Sequence, residues 1–254
     1  MDEYLRFAKE LALEAGQISL ELFGFDIAAT WKDDNTPLTA ADDAINQMVI
    51  DRVKEQFPDH GVLGEEDSYE QDRSTIWVVD PIDGTQPFSV GAPLSVFSLA
   101  LVVDGIPQVG VVYDPFQKRM FTAIKGQGAW LNDEPLKITN ASDDLHYIAM
   151  ASRPAEDLKT NGQIIDYLDA EGIKWFNFRS FIYGGILVAA GTVSAAILGR
   201  PKPWDIAANM VILEEAGGKV TNLYGEPAKY NDVQNGFLFS NGVVHDRILA
   251  ILKP

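Results

Sequence analysis

The stretch "VVDPIDGTQPF", residues 78–88, starts like a buried strand and ends like a turn, and it sets Asp80 and Asp83 three residues apart. Two valines ahead of Asp80 suit a covered β-strand. Pro81 stiffens the link between the acids, and Gly84 lets the backbone approach a ligand closely. In an extended or turning segment both carboxylates could converge on one cation, with the Ile82 carbonyl between them. The N–H groups of Gly84 and Thr85 suit a phosphate oxygen. A plainer reading stands beside this one, because Asp-Gly is also a common turn dipeptide.

Working outward, residues 2–23 repeat apolar groups at helical spacing, through Leu5, Ala8, Leu11, Ala12, Ala15, Ile18 and Leu22, and Gly24 stops them. "TWKDDNTP", residues 30–37, is polar and turn-rich and reads as a loop, whereas 39–57 reads as a helix with Thr39 as its N-cap and Pro58 beyond its end. Downstream, short β-rich runs at 76–80, 95–103, 108–113, 119–124 and 128–131 are punctuated by Asp104-Gly105, Asp114-Pro115 and Lys125-Gly126, which predicts an antiparallel meander. Past residue 140 the types alternate. Strands are expected at 147–152, 173–178, 194–198, 219–223 and 236–241, and helices at 155–168, 181–190, 204–216 and 244–251. The fold class is therefore mixed, α+β followed by α/β. The composition shift near 138–145 divides it into an N-terminal subdomain, 1–140, carrying the meander and most candidate acids, and a C-terminal one, 141–254, completing the site. No repeat or long linker separates the halves, so they are expected to pack tightly.

The 254 residues include 46% hydrophobic ones, enough for a sizeable core, and no apolar run is long enough for a membrane span. The charged, amphipathic start is unlike a secretory leader, and a cytoplasmic location is expected. With no cysteine, disulfides and thiolate metal sites are ruled out. A net charge of −17 with scattered cations argues against a nucleic-acid or membrane partner. It serves solubility, and it also raises the prospect that some acids bind metal.

Three further places carry acids: "LTAAD" ending at Asp42, "GEED" with Glu65 and Glu66, and "PWDIAA" with Asp205. Each has an ordinary explanation. Thr39-x-x-Asp42 is a capping-box pattern, Glu65-Glu66 can be a solvated acidic loop, and Asp205 complements a helix dipole from its first turn. Together they form an all-oxygen set that suits Mg²⁺ or Mn²⁺, and His60, His146 and His245 are the only imidazoles on offer. Thr85 supplies a hydroxyl that an acid such as Asp42 could polarise to activate a water.

"LTAAD", "GEE", "DPIDGT" and "WDIAA", in that order, with "KGQGAWLN" at 125–132 and "EEAGGKVTNLYG" at 214–225, resemble the inositol monophosphatase family over nearly the whole chain. The resemblance implies a layered α/β/α/β/α sandwich, usually homodimeric, that hydrolyses a small phosphomonoester with two or three Mg²⁺ ions. Fructose-1,6-bisphosphatase and nucleotide 3′-phosphatase activities are the alternatives, and a non-catalytic binding homologue is the remote one. It places the metal ligands on Glu65, Asp80, the Ile82 carbonyl, Asp83 and Asp205. It places the water-activating pair on Thr85 and Asp42, phosphate contacts on the Gly84 and Thr85 amides, and a supporting role on Glu66. Lys32 falls in the loop that closes near the metals in that family. The substrate pocket departs from the family pattern. Leu198 stands seven residues before Asp205, where the family has an acid for inositol hydroxyls, and Pro87 replaces an asparagine. Arg179, Ser180 and Phe181 align with a Gly-Ser-Ala segment near the substrate, and Arg200 and Lys202 precede Asp205. Either Leu198 and Phe181 are plain core residues and the arginines face solvent, or the pocket has exchanged an acid for positive charge.

Overall fold

The computed structural model describes residues 1–253 except 26, 28, 33–36, 139–144, 152–153 and 155–156. The first half runs α1 (Asp2–Leu22), β1 (Ala29–Trp31), β2 (Pro37–Thr39), α2 (Ala40–Gln56), β3 (Gly61–Gly64), β4 (Thr75–Asp83), α3 (Thr85–Ser89), β5 (Val96–Val103), β6 (Ile106–Asp114), β7 (Arg119–Ile124), β8 (Gly128–Leu131) and β9 (Glu134–Leu136). The second runs β10 (Tyr147–Ala151), α4 (Asn161–Ala170), β11 (Lys174–Phe176), α5 (Phe181–Ala189), β12 (Ala195–Leu198), α6 (Pro203–Glu215), β13 (Lys219–Thr221), β14 (Phe237–Ser240) and α7 (His245–Leu252).

Strands β3 to β9 form a seven-stranded sheet in chain order. All of its neighbours pair antiparallel except β3 with β4. This is the expected meander, extended by one short strand at each end. The second sheet has the order β11-β10-β12-β14-β13, with β10 parallel to both β11 and β12.

Alternation along the strands shows how the layers stack. Trp77, Val79, Leu99 and Leu101 share a core with Phe7, Leu11, Ile45 and Val49 of α1 and α2. Their neighbours Ile76, Val78, Ala100 and Val102 face the opposite way, onto Ile182, Ile186, Ala208 and Ile212 of α5 and α6. The second sheet repeats the device. Ala149, Ala196 and Phe239 point to α5 and α6, while Ile148, Ile197 and Leu238 point to Ile164, Leu168 and Ile248 of α4 and α7. The product is the layered α/β/α/β/α sandwich, with α5 and α6 from the C-terminal half sealed between the sheets. Because helices cover both faces, β4 and β5 read as nearly unbroken apolar runs. That coverage leaves most of the apolar strand residues of 95–124 buried within the chain itself.

Several expectations are corrected. Residues 30–37, read as a loop, contribute to a β1–β2 hairpin that pairs Thr30 with Leu38 and Trp31 with Pro37; residues 33–36 lie outside the described ones. Three-residue strands are too short to show a period, so the tertiary pairing decides. The helix expected at 155–168 begins only at Asn161, where Thr160 and Gln163 form a capping box. Residues 155 and 156, and most of the expected boundary at 138–145, also lie outside the described residues.

Candidate active site

The two aspartates of the opening stretch meet because β4 is irregular. Asp80 pairs with Ser98 and Asp83 with Val96, so three steps on β4 oppose two on β5. In a regular strand residues three apart point to opposite faces. The extra residue of a β-bulge resets that parity and turns both carboxylates to one side. Pro81, which has no N–H to give the ladder, falls within the bulge where that absence is tolerated.

Asp205 joins them from the first turn of α6, where its carboxylate accepts the Lys202 N–H at 2.5 Å. One oxygen each from Asp80, Asp83 and Asp205 lie within 4.8 Å of one another, and all three residues are buried. Burial raises all three carboxyl pKa values, that of Asp83 to about 6 and those of Asp80 and Asp205 well above the usual range, and the neighbouring acids add to the effect. Asp80 Oδ1 is buried without a hydrogen-bond partner. An orphaned carboxylate oxygen inside a group of like charges fits a hard divalent cation with oxygen ligands, as Mg²⁺ is.

Asp83 has a second attachment that its sequence position does not reveal. Its Oδ2 accepts from the Ser180 hydroxyl and, at 2.9 Å, from the Ile182 N–H, while Oδ1 accepts from the Phe181 N–H at 3.1 Å. A strand end in the first half thus caps helix α5 in the second. Ser180, expected beside the substrate, borders the cavity but spends its hydroxyl on Asp83 and on accepting the Tyr183 N–H.

The other expected acids stand around this group. Lys32 donates to Glu65 at 2.9 Å and to Glu66 at 2.5 Å. Burial alone would lower the Lys32 pKa, but the two glutamates more than reverse it, and burial lifts Glu66 to about 7. Glu65 borders the cavity yet lies outside the 4.8 Å group. Asp42, fully buried, is in contact with both Thr39 and Thr85. Its Oδ2 accepts from the Thr39 N–H at 2.8 Å and the Thr39 hydroxyl at 2.5 Å, and its Oδ1 lies 3.3 Å from the Thr85 hydroxyl. Burial brings its pKa to about 6 despite the bonds from Thr39. The Thr85 hydroxyl is also 2.9 Å from the Ile82 carbonyl. Gly84 adopts φ 92°, and a Cβ there would meet the Leu94 carbonyl at 2.6 Å, so the turn into α3 requires glycine.

Lys32, Glu65, Asp80, Asp83, Thr85 and Asp205, with Asp42 and Glu66 set behind them, line a cavity of about 570 Å³ whose outer wall holds Gln86, Asn177, Arg179, Arg200, Lys202 and Trp204. Arg200 is exposed and borders the cavity. Leu198 is corrected: it is 1% exposed, its side chain belongs to the core between sheet and helices, and it does not border the cavity. Gln86, Asn177 and Trp204 were missed, because no local pattern marks them as wall residues.

The inositol monophosphatase family profile matches residues 1–253. The chain belongs to that family. It is a phosphoric monoester hydrolase of a metal-dependent family, acting on small phosphorylated substrates. It is 32% identical over 217 residues to the fructose-1,6-bisphosphatase/inositol-1-monophosphatase of Thermotoga maritima, covering 85% of this chain and 82% of that protein. An inositol monophosphatase structure from Thermotoga maritima superposes with a TM-score of 0.89 at 31% identity, covering 99% of this chain and 96% of that one. An IMPase/NADP phosphatase solved with Mg²⁺ and phosphate gives a TM-score of 0.81 at 26% identity, covering 98% of this chain and 93% of that one.

Proposed function

We propose that this inositol monophosphatase family member uses Mg²⁺, two or three ions per site with Mn²⁺ as a substitute, held by Glu65, Asp80, the Ile82 carbonyl, Asp83 and Asp205. When bound, the metal supplies countercharge for the phosphoryl oxygens and for the departing alkoxide. The observation that carries this reading is the trio of buried, mutually raised carboxyls at the floor of the cavity, with an orphaned oxygen on Asp80.

The chain's own groups do the rest. The Thr85 hydroxyl has one proton and two acceptors, Ile82 O at 2.9 Å and Asp42 Oδ1 at 3.3 Å. Turned toward Asp42, it leaves its oxygen lone pairs free to accept a proton from an attacking water. Asp42, with a pKa of about 6, is ionised at neutral pH and able to take the Thr85 proton. The Gly84 and Thr85 amides hold phosphate oxygens. Glu66 and Lys32 keep Glu65 in place through their shared ion pair.

Inositol or sugar phosphates are the expected esters, since the Thermotoga relative's name joins a fructose bisphosphatase to an inositol monophosphatase. We also read the chain as a cytoplasmic homodimer, on the family's habit; among the described residues no helix is long and apolar enough to cross a membrane. The decisive experiment measures phosphate release from a panel of inositol, sugar and nucleotide phosphates with Mg²⁺ and with chelator. Release that persists in excess chelator overturns the metal assignment. Light scattering at micromolar concentration checks the dimer, and a monomer refutes it.

A further inference from the structure

The cavity has two walls of opposite character. Its floor is the carboxylate group, and its outer wall carries Arg179, Arg200 and Lys202. All three cations are exposed, and among the described residues none forms an ion pair with a carboxylate. Acids outnumber bases 37 to 20 in this chain, so three cations without an acidic partner at one cavity mouth run against its composition.

Arg179 is also built into position. It takes a left-handed backbone conformation, φ 57°, which a residue with a β-carbon adopts only where its surroundings hold it. Its N–H donates to the Asn177 side chain at 2.9 Å, fixing the turn. Its Nε donates to the Gln86 side-chain oxygen on α3, one residue past Thr85. That brace uses one of the five guanidinium N–H groups and leaves the two terminal nitrogens for the cavity. A guanidinium held this way matches the oxygens of a phosphate or carboxylate, and little rotamer freedom is lost on binding.

We infer that Arg179 and Arg200, with Lys202 beside them, are specificity-determining residues that receive a second anionic group, phosphate or carboxylate, on the leaving alcohol. The inference rests on the phosphatase reading: the scissile phosphoryl group occupies the acidic floor, so the alcohol portion meets the cationic wall. Gln86 is then a positioning residue, acting through Arg179. An ester with an ammonium group in the same place meets three like charges and is disfavoured.

Matched pairs of esters test this in Mg²⁺ buffer: glycerol 3-phosphate against 3-phosphoglycerate, and glucose 1-phosphate against glucose 1,6-bisphosphate, with ethanolamine phosphate as the cationic arm. The anionic member of a pair is expected to have about tenfold or greater kcat/KM, and ethanolamine phosphate the lowest. Arg200→Ala and Arg179→Asn, the latter keeping a residue that tolerates left-handed backbone, should each shrink that preference by about tenfold. Raising the salt concentration should shrink it as well, because exposed charges are screened. A preference confined to the phosphate pair, or to the carboxylate pair, supports the inference and identifies the group. Equal kcat/KM within both pairs, ethanolamine phosphate as the best ester, or variants that slow both members of a pair alike would overturn it. If no ester is turned over, the phosphatase reading falls instead, and calorimetric Kd values for the same pairs and variants decide the anion preference on their own.

Discussion

Asp114 at the end of β6 and Asp80 in β4 are both buried in one sheet, at 0 and 1% exposure, yet their surroundings are opposite. Asp114 is answered from within the chain. Its Oδ1 accepts the Gln117 N–H at 3.0 Å, and its Oδ2 meets Arg119 at 2.9 Å and the Tyr183 hydroxyl at 3.2 Å. Asp80 has an unpartnered oxygen and sits among acids. A buried carboxylate without a partner is costly, so a fold keeps one only where something else supplies the compensation. At Asp114 the polypeptide provides its own cation and gains a rigid joint between β6, β7 and α5. At Asp80 the described residues leave one oxygen without a partner, and that difference is what the metal proposal rests on.

The comparison breaks first at Asp83. Asp83→Asn should nearly abolish phosphate release while the circular dichroism spectrum stays native; substantial turnover by the folded variant would show that this group is no more functional than Asp114. Thr85→Ala comes next, with kcat lowered about 10² to 10⁴-fold and KM much less affected. A change in KM alone would make Thr85 a phosphate contact and not a partner of Asp42. Asp114→Asn should act the other way. It should lose about 2 kcal/mol of stability in urea, less than breaking a fully buried pair costs because Arg119 is 26% exposed, with turnover per folded molecule kept. If Asp114→Asn instead removed activity at full stability, the division between structural and functional carboxylates would fail.

The smallest effect is on pH. Burial raises the folded-state pKa values of Asp80, Asp83 and Asp205 above their unfolded ones, to about 6 for Asp83. Their contribution to stability is therefore full below about pH 4 and lost as pH rises through the folded values. In chelator the melting temperature should fall across that window, and saturating Mg²⁺ should raise it by a few degrees more at pH 8 than at pH 5. A Mg²⁺ shift of equal size at both pH values would count against the cluster as the binding place.

Much of this was legible in the sequence, and the part that was not has a common cause. Helices α1 and α2 announce themselves through apolar spacing and Thr39, and the meander through its turn dipeptides. The acids are legible because they sit in short motifs of fixed order. The β1–β2 hairpin was not, since three residues cannot display a period and their partners are chosen by packing. Nor were the capping of α5 by Asp83 or the brace between Gln86 and Arg179, contacts that join residues more than 90 positions apart. The Ser180-to-Tyr183 cap before an apolar run was a local hint to the start of α5, but nothing local points to Asp83 as its partner.

The bulge at Pro81–Ile82 gives the number of residues a meaning of its own. Removing Ile82 would leave every acid in the chain and, by restoring the simple pleat, would keep both aspartates on one face, yet it would take away the carbonyl that the Thr85 hydroxyl reaches and draw Gly84 and α3 one residue back along the strand. Adding a residue would do comparable damage by moving Gly84 away from the one place where its backbone conformation fits. Between Asp80 and Gly84, then, chain length is itself part of the chemistry, whereas the Asp104-Gly105 turn, where an added Cβ on Gly105 would meet nothing within 4 Å, has room to grow or shrink.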